Sequence, residues 1–85
     1  MDTNETLKSE LRSLVSEAGG IPADFEASAH FYTDLGIASV KALRILMALE
    51  DRYEIHIDDL DFVDATSLDN LCALMGRLLR EQGSK

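Results

Sequence analysis

The residue best placed for covalent chemistry is Ser39, in the run 34–40, which reads DLGIASV. Gly36 allows a tight turn that other residues disfavour, and three residues later Ser39 lies at the predicted start of a helix. A serine in this position commonly serves as a helix cap. The unpaired N–H groups and partial positive charge of a helix start would equally stabilise a phosphodiester on the serine oxygen. The residues alone leave both roles open.

The other groups that could do chemistry are not spaced for it. The four aspartates in 58–64 lack the glycine and distal glutamate of a calcium-binding loop, so we expect only diffuse cation screening there. His30 and His56 lie far apart, without the spacing of zinc ligands. Nothing in the spacing of Ser39, Cys72 and the histidines favours a hydrolase. We therefore expect no metal site, no catalytic residue and no enzyme activity.

Apolar residues recur at helical spacing along the chain, and no segment has the alternating pattern of a strand. We predict long helices over 3–18 and 39–53, joined by a long loop. Phe25 and Phe31 lie within that loop, so we expect it to pack onto the core. The predicted fold is all-α, a small four-helix bundle of three long helices and one short helix, in a single domain of residues 1–85.

The remaining two helices follow the loop after residue 53. A short helix is predicted within 55–63, starting near Asp58, whose carboxylate could cap it. Thr66 is predicted to open the last helix, with Asp69 three residues later in an arrangement like a capping box. Residues 81–85 are predicted to form a frayed tail.

The second helix carries two apolar lines. One line is expected to face the core and contains Ala42, Ile45, Leu46, Leu49 and Tyr53. The other contains Val40, Leu43 and Met47. A second line indicates either a helix that lies deeper in the bundle or one that presents this line to a partner, and periodicity leaves both open.

The charge of the chain is strongly negative, with 16 acidic and 8 basic residues and a net charge of −8. Such a field repels nucleic acid and anionic membranes and favours partners with basic patches. We expect neither nucleic-acid binding nor membrane insertion, because no apolar run approaches the ~20 residues of a membrane span. With a single cysteine and no apolar segment typical of a secretory signal, a cytoplasmic protein is expected. A surface of one sign is predicted from six acidic residues without an intervening Lys or Arg: Glu54, Asp58, Asp59, Asp61, Asp64 and Asp69.

Residues 34–40 (DLGIASV), followed by 46–53 (LMALEDRY), resemble the acyl carrier proteins of fatty acid and polyketide synthesis. The similarity continues through 57–59 and 66–68 and covers essentially the whole chain. The resemblance implies that Ser39 carries 4′-phosphopantetheine, which a phosphopantetheinyl transferase attaches from coenzyme A. Acyl intermediates would travel on this arm as thioesters.

The resemblance also implies two sets of contact residues. Acyl-transferring or synthase enzymes would dock on the second helix and its flanks, at Val40, Lys41, Leu43, Arg44, Met47, Glu50 and Asp51. The acyl chain would lie between the helices, against Ile45, Leu46, Leu49, Phe62 and Leu71.

Three departures from the family pattern bear on partners, and a fourth, Asp58 in place of a common proline, is minor. Family members usually have Asp before the serine, where this chain has Ala38, and acidic residues early in the second helix, where it has Lys41 and Arg44. Partners that present Lys and Arg to this helix would meet like charge, so we expect a specialised monomeric carrier with dedicated partners. Two alternatives stay open, namely a carrier of aminoacyl or other non-fatty cargo and a protein-interaction module that lacks the arm.

Overall fold

A computed structural model describes residues 3–83 of the chain, with side chains from 5 to 82. It contains four helices, α1 (Thr3–Gly19), α2 (Ser39–Tyr53), α3 (Asp59–Asp64) and α4 (Leu68–Gly83). No strand occurs within residues 3–83. The predicted all-α bundle of three long helices and one short helix is confirmed.

The long helices form because each presents one apolar stripe to a shared core. α1 packs against both α2 and α4, and the short α3 packs against α4. Fully buried side chains come from every long helix, as Leu11 on α1, Leu49 on α2 and Leu71 on α4 illustrate. Each such side chain stabilises the fold by about 1.5–3 kcal/mol relative to an exposed position. By contrast, α3 has no fully buried residue.

The loop between α1 and α2 is fastened to the core, as predicted. Phe25 and Phe31 are buried within it. The Arg12 guanidinium of α1 lies 4.8 Å from the centre of the Phe25 ring. The same group donates hydrogen bonds to the carbonyls of Ala23, at 2.7 Å, and Phe25, at 2.5 Å. Further along, the Phe31 amide donates to the Thr66 carbonyl at 2.7 Å, which joins the loop to the segment before α4.

The start of α4 differs from the prediction by one residue. The helix begins at Leu68, and the Ser67 hydroxyl accepts a hydrogen bond from the Asn70 amide at 3.2 Å. Ser67 is therefore the cap, while the carbonyl of Thr66 is engaged by the loop. Asp69 does not complete a capping box, because its carboxylate pairs with Lys8 Nζ at 3.0 Å. The predicted opening by Thr66 and Asp69 was wrong.

Two other helix ends also differ from expectation. Asp58 occupies the N-cap position of α3, as predicted, but its carboxylate forms no capping hydrogen bond. The predicted frayed tail was wrong for residues 81–83, because α4 continues to Gly83. The Gln82 amide group there donates to the Glu54 carbonyl at 3.4 Å. Residues 84 and 85 lie outside the described range.

The acidic surface predicted over 54–69 is not of one sign. Asp61 pairs with Arg77 of α4 at 3.3 Å, and Asp69 pairs with Lys8 of α1 at 3.0 Å. Both cations come from helices distant in sequence, which is why a local charge count could not find them. Exposed carboxylates without an ion pair to another described residue remain at Glu54, Asp58, Asp59 and Asp64.

Candidate functional site

A compact turn leads from the core to the candidate serine. The amides of Asp34 and Leu35 both donate to the His30 carbonyl at 3.0 Å. The His30 ring closes the turn, because its Nδ1 accepts hydrogen bonds from the amides of Tyr32, at 3.1 Å, and Thr33, at 3.2 Å. Nothing in the sequence indicates that His30 acts as an acceptor in this loop. An imidazole that accepts backbone hydrogen bonds leaves no spacing signal in a sequence.

Gly36 supplies the change of direction before α2. Its φ of 67° lies in the left-handed region that glycine adopts without strain, and no atom lies within 4 Å of the position a Cβ would take. The next residue, Ile37, is buried, and its amide donates to the Phe31 carbonyl at 2.9 Å. The predicted tight turn is confirmed. With Ile37 anchored in the core, the chain emerges at the surface at Ala38 and Ser39.

Ser39 is the first residue of α2 and not its cap. Ala38, with extended φ and ψ of −72° and 152°, occupies the N-cap position, and no side chain caps this end. The Ala38 carbonyl accepts the amides of Lys41 and Ala42, so the amides of Ser39 and Val40 precede the helical ladder. This excludes the capping role that the sequence left open for Ser39, because the helix begins one residue earlier than a cap at this position requires. Its side chain is exposed.

This arrangement suits a phosphodiester on the Ser39 oxygen. The hydroxyl is exposed to an incoming enzyme, and the free amides and partial positive charge of the α2 start lie beside it. No acidic residue occupies the first turn of α2 to oppose a second negative charge. The donor set therefore fits an anionic group attached at this serine.

Cys72 is the other nucleophile that the sequence offers. It lies on the inner side of α4, half-buried against the core. Burial raises the pKa of its thiol, which keeps the sulfur protonated and a poor nucleophile near neutral pH. No cluster of three or more potential metal-ligating side chains occurs among the described residues. Ser39 is the nucleophile with both exposure and a favourable electrostatic setting.

The second apolar line of α2 lies at the surface. Val40, Leu43 and Met47 are 63%, 56% and 62% exposed. This resolves the alternative that the sequence left open, because a helix that lay deeper in the bundle would bury this line. Arg44 and Asp51 on the same side of the helix are also exposed.

Two of the charged residues predicted to dock partners are directed towards their own chain. Lys41 Nζ lies 2.9 Å from the position that a Cβ on Gly20 would take, at the end of α1. The Glu50 carboxylate accepts the Ile57 amide at 2.9 Å and lies 3.3 Å from His56 Nδ1. Because these contacts cross between elements, helical periodicity could not identify them.

The five residues predicted to line an acyl pocket lie together in the core. Four of them are buried, namely Ile45, Leu46, Leu49 and Leu71. Phe62 of α3 is partly buried and packs against the same cluster. They come from α2, α3 and α4, so an apolar chain entering between these helices would meet all three.

Comparison with known proteins identifies the family of this chain. The family described as phosphopantetheine attachment site matches residues 9–75, a span that includes Ser39. The acyl carrier protein of Cyanidium caldarium is 36% identical over 62 residues, which cover 72% of each chain. The chain belongs to the acyl carrier protein family, whose members carry 4′-phosphopantetheine.

Proposed function

We propose that this chain carries acyl intermediates as thioesters on a 4′-phosphopantetheine arm attached to Ser39. The observation that supports the site is the exposed Ser39 hydroxyl at a helix start that no side chain caps. A cap would engage the hydroxyl in a hydrogen bond with its own helix, whereas here the oxygen is available. When attached, the arm supplies the thiol that holds the acyl group. The chain itself supplies attachment and positioning, so we infer a carrier and not an enzyme.

The outer side of α2 is the proposed docking surface for enzymes that act on the arm. Its apolar residues, Val40, Leu43 and Met47, lie within about two turns of Ser39, so an enzyme bound there would have the arm within reach. Arg44 and Asp51 supply charges on the same surface. Lys41 and Glu50 are among the residues predicted from the sequence to dock partners. Because both have contacts within the chain, we propose that they contribute less to docking than Arg44 and Asp51.

The cargo is proposed to lie among Ile45, Leu46, Leu49, Phe62 and Leu71. Because these side chains are packed in the core, an acyl chain would enter by separating α3 from its neighbours. α3 is the element that can move at least cost, since none of its residues is fully buried.

The partners follow from the proposed reaction cycle. They are a phosphopantetheinyl transferase and acyl-transferring or synthase enzymes of fatty acid, lipid or polyketide-type synthesis, which we propose to be dedicated to this chain. We further propose a monomeric, cytoplasmic, single-domain carrier. No helix within residues 3–83 is long and apolar enough to cross a membrane.

The proposal is tested by incubating the protein with coenzyme A, Mg²⁺ and transferases from its own source and then measuring the intact mass. We expect the wild type to gain the mass of one phosphopantetheine and the Ser39→Ala variant to gain none. Circular dichroism of both proteins controls for folding. A folded wild type that no such transferase modifies would contradict the proposal and support the interaction module that lacks the arm.

A further inference from the structure

The three basic residues of α2 have different surroundings. Lys41 is directed towards the end of α1, beside Gly20. Arg52 lies 3.7 Å from the Glu10 carboxylate of α1 and 5.8 Å from the centre of the Tyr53 ring. Arg44 is exposed and forms no ion pair or ring contact with the described part of the chain. Lys41 and Arg44 are both exposed, and Arg44 is the α2 cation that lies neither beside the end of α1 nor in an ion pair with a described residue.

The position of Arg44 places it beside the exposed apolar residues. It follows Val40 by four residues and precedes Met47 by three, which makes it a surface neighbour of both. Leu43 follows Val40 by three residues and precedes Met47 by four, so it is also a neighbour of both. A partner that covers Val40, Leu43 and Met47 must therefore also remove water from the Arg44 guanidinium.

The end of α1 explains why Lys41 is not equivalent. α1 has no basic residue in its last turn, where the helix dipole favours a cation. The Lys41 ammonium lies beside Gly20, directly after that turn, and is therefore close to the partial negative charge of the helix end. Two cations three residues apart on one helix thus have different surroundings, one beside the end of α1 and one among the exposed apolar residues.

We propose that the enzymes docking on this surface present an acidic side chain to Arg44 beside an apolar contact for Val40, Leu43 and Met47. The inference rests on the carrier function proposed above and reverses the local charge that partners of this family usually present to the helix. A partner with Lys or Arg opposite Arg44 would bring like charges together in a partly desolvated contact, which is unfavourable. A second copy of this chain is a poor occupant, since each copy carries a net charge of −8.

The probe for this proposal is a phosphopantetheinyl transferase with a basic docking face, together with its variant in which the docking Lys or Arg is replaced by Glu. Dissociation constants are measured by titration of amide NMR signals in the absence of coenzyme A. Three carriers are compared, namely the wild type, Arg44→Glu and Lys41→Glu. The two variants change the net charge equally, so long-range attraction affects both alike. An ionic strength near 0.3 M, with a Debye length of about 5–6 Å, limits that contribution further.

We expect the wild type to bind the Glu-bearing transferase more tightly than the basic parent. For each carrier, we take the ratio of its dissociation constants for the basic parent and for the Glu-bearing transferase. Relative to the wild type, this ratio should change by about three- to tenfold in Arg44→Glu and by less than about twofold in Lys41→Glu. Equal changes in the two carriers, or tighter binding of the basic parent by the wild type, would overturn the proposal. Arg44→Gln and Lys41→Gln repeat the comparison with half the charge change if either Glu variant unfolds.

Failure of this proposal is distinguishable from failure of the carrier function. The titration needs no arm on Ser39, whereas the carrier function is read from the intact mass with coenzyme A present. If the protein gains the arm but both charge variants give equal ratios, the carrier function stands and the proposed acidic contact of Arg44 is contradicted. Sedimentation of the wild type alone checks for a second copy, and a dimer whose interface protects Val40 and Met47 would also contradict the proposal.

Discussion

Ser39 and Ser67 both lie at the start of a helix, but their hydroxyl groups have different surroundings. Ser67 occupies the position before α4, is only 7% exposed, and accepts the Asn70 amide at 3.2 Å. Ser39 is the first residue inside α2, is exposed, and leaves the cap position to Ala38. An offset of one residue relative to the helix thus separates a serine used for stability from one available for modification.

The neighbourhoods of the two serines differ in the same direction. At the start of α4, Leu68 is fully buried and the Asp69 amide donates to the Ala27 carbonyl at 3.1 Å. At the start of α2, Val40 is 63% exposed and no side chain caps the helix. The comparison shows that the fold stabilises one helix start through its own contacts and leaves the other open to a partner.

The largest difference in stability is expected between substitutions of Leu68 and Val40, the first apolar residues of α4 and α2. Leu68→Ala should lower the free energy of unfolding by about 2–5 kcal/mol, because it removes a fully buried side chain. Val40→Ala should change it by less than about 0.5 kcal/mol, since that side chain is exposed. Urea denaturation measures both, and Leu68→Val serves if the alanine variant is unfolded. Equal losses in the two variants would show that the two helix starts are not different.

A smaller effect is expected from the two serines themselves. Ser67→Ala should lower the free energy of unfolding by about 1 kcal/mol, because the Asn70 amide loses its acceptor. Ser39→Ala should leave it unchanged within about 0.5 kcal/mol, since its hydroxyl caps nothing. The same denaturation experiment compares them. A loss as large in Ser39→Ala as in Ser67→Ala would mean that the Ser39 hydroxyl does cap α2, contrary to the structure.

The start of α2 should become more like that of α4 when a cap is added. Ala38→Asp places a carboxylate at the N-cap position and should raise the free energy of unfolding of the unmodified protein by about 0.5–1 kcal/mol. The gain should shrink after the arm is attached, because the carboxylate then lies beside a phosphodiester of the same sign. Thermal denaturation of both forms measures it, with Ala38→Asn as the uncharged control. The same gain in both forms would argue against a phosphodiester at this helix start.

The smallest effect is a pH dependence at the far end of α2, where the partly buried Tyr53 packs against the core. The Tyr53 hydroxyl donates to Glu10 at 2.8 Å, and burial together with this contact raises the pKa of the phenol above its ordinary value of 10.0. As the pH rises, the Tyr53 phenol therefore loses its proton in the unfolded chain before it does so in the folded chain. The contribution of Tyr53 to stability is fully present below pH 10 and is lost as the pH rises through the raised pKa of the folded state. The stability difference between the wild type and Tyr53→Phe should therefore narrow from pH 9 to about pH 11.

The control for that titration is Tyr32→Phe, which leaves Tyr53 in place. It should keep the alkaline loss of the wild type, measured by urea denaturation at each pH. A difference between the wild type and Tyr53→Phe that stays constant up to pH 11 would contradict the role given to the phenol.

The sequence predicts the helices well because their apolar spacing is long and regular. α2 has the predicted bounds of Ser39–Tyr53, and the loop aromatics Phe25 and Phe31 are buried as expected. Gly36 forms the predicted turn because the chain there takes a positive φ, which glycine adopts without strain. The attachment site proposed at Ser39 likewise rests on a local motif, with a glycine and a serine at fixed spacing.

The errors concern contacts that cross the bundle. Capping depends on the exact residue at which a helix begins, and periodicity does not fix that residue, so Thr66 was predicted as the opening residue of a helix that Ser67 caps. The partners of Asp61 and Asp69 come from α4 and α1, which a window along the chain cannot bring together. The same limit hid the hydrogen bonds of Arg12 to the loop carbonyls.

The most direct test of the central claim is the location of the arm. The wild type is loaded with a transferase and coenzyme A, digested with trypsin and analysed by tandem mass spectrometry. The account predicts that fragment ions of the peptide 13–41 place the added phosphopantetheine on Ser39 and that the peptide 53–77, which contains Ser67, is unmodified. An arm on any other residue, or an unchanged peptide 13–41 in a protein whose mass has increased, would contradict it.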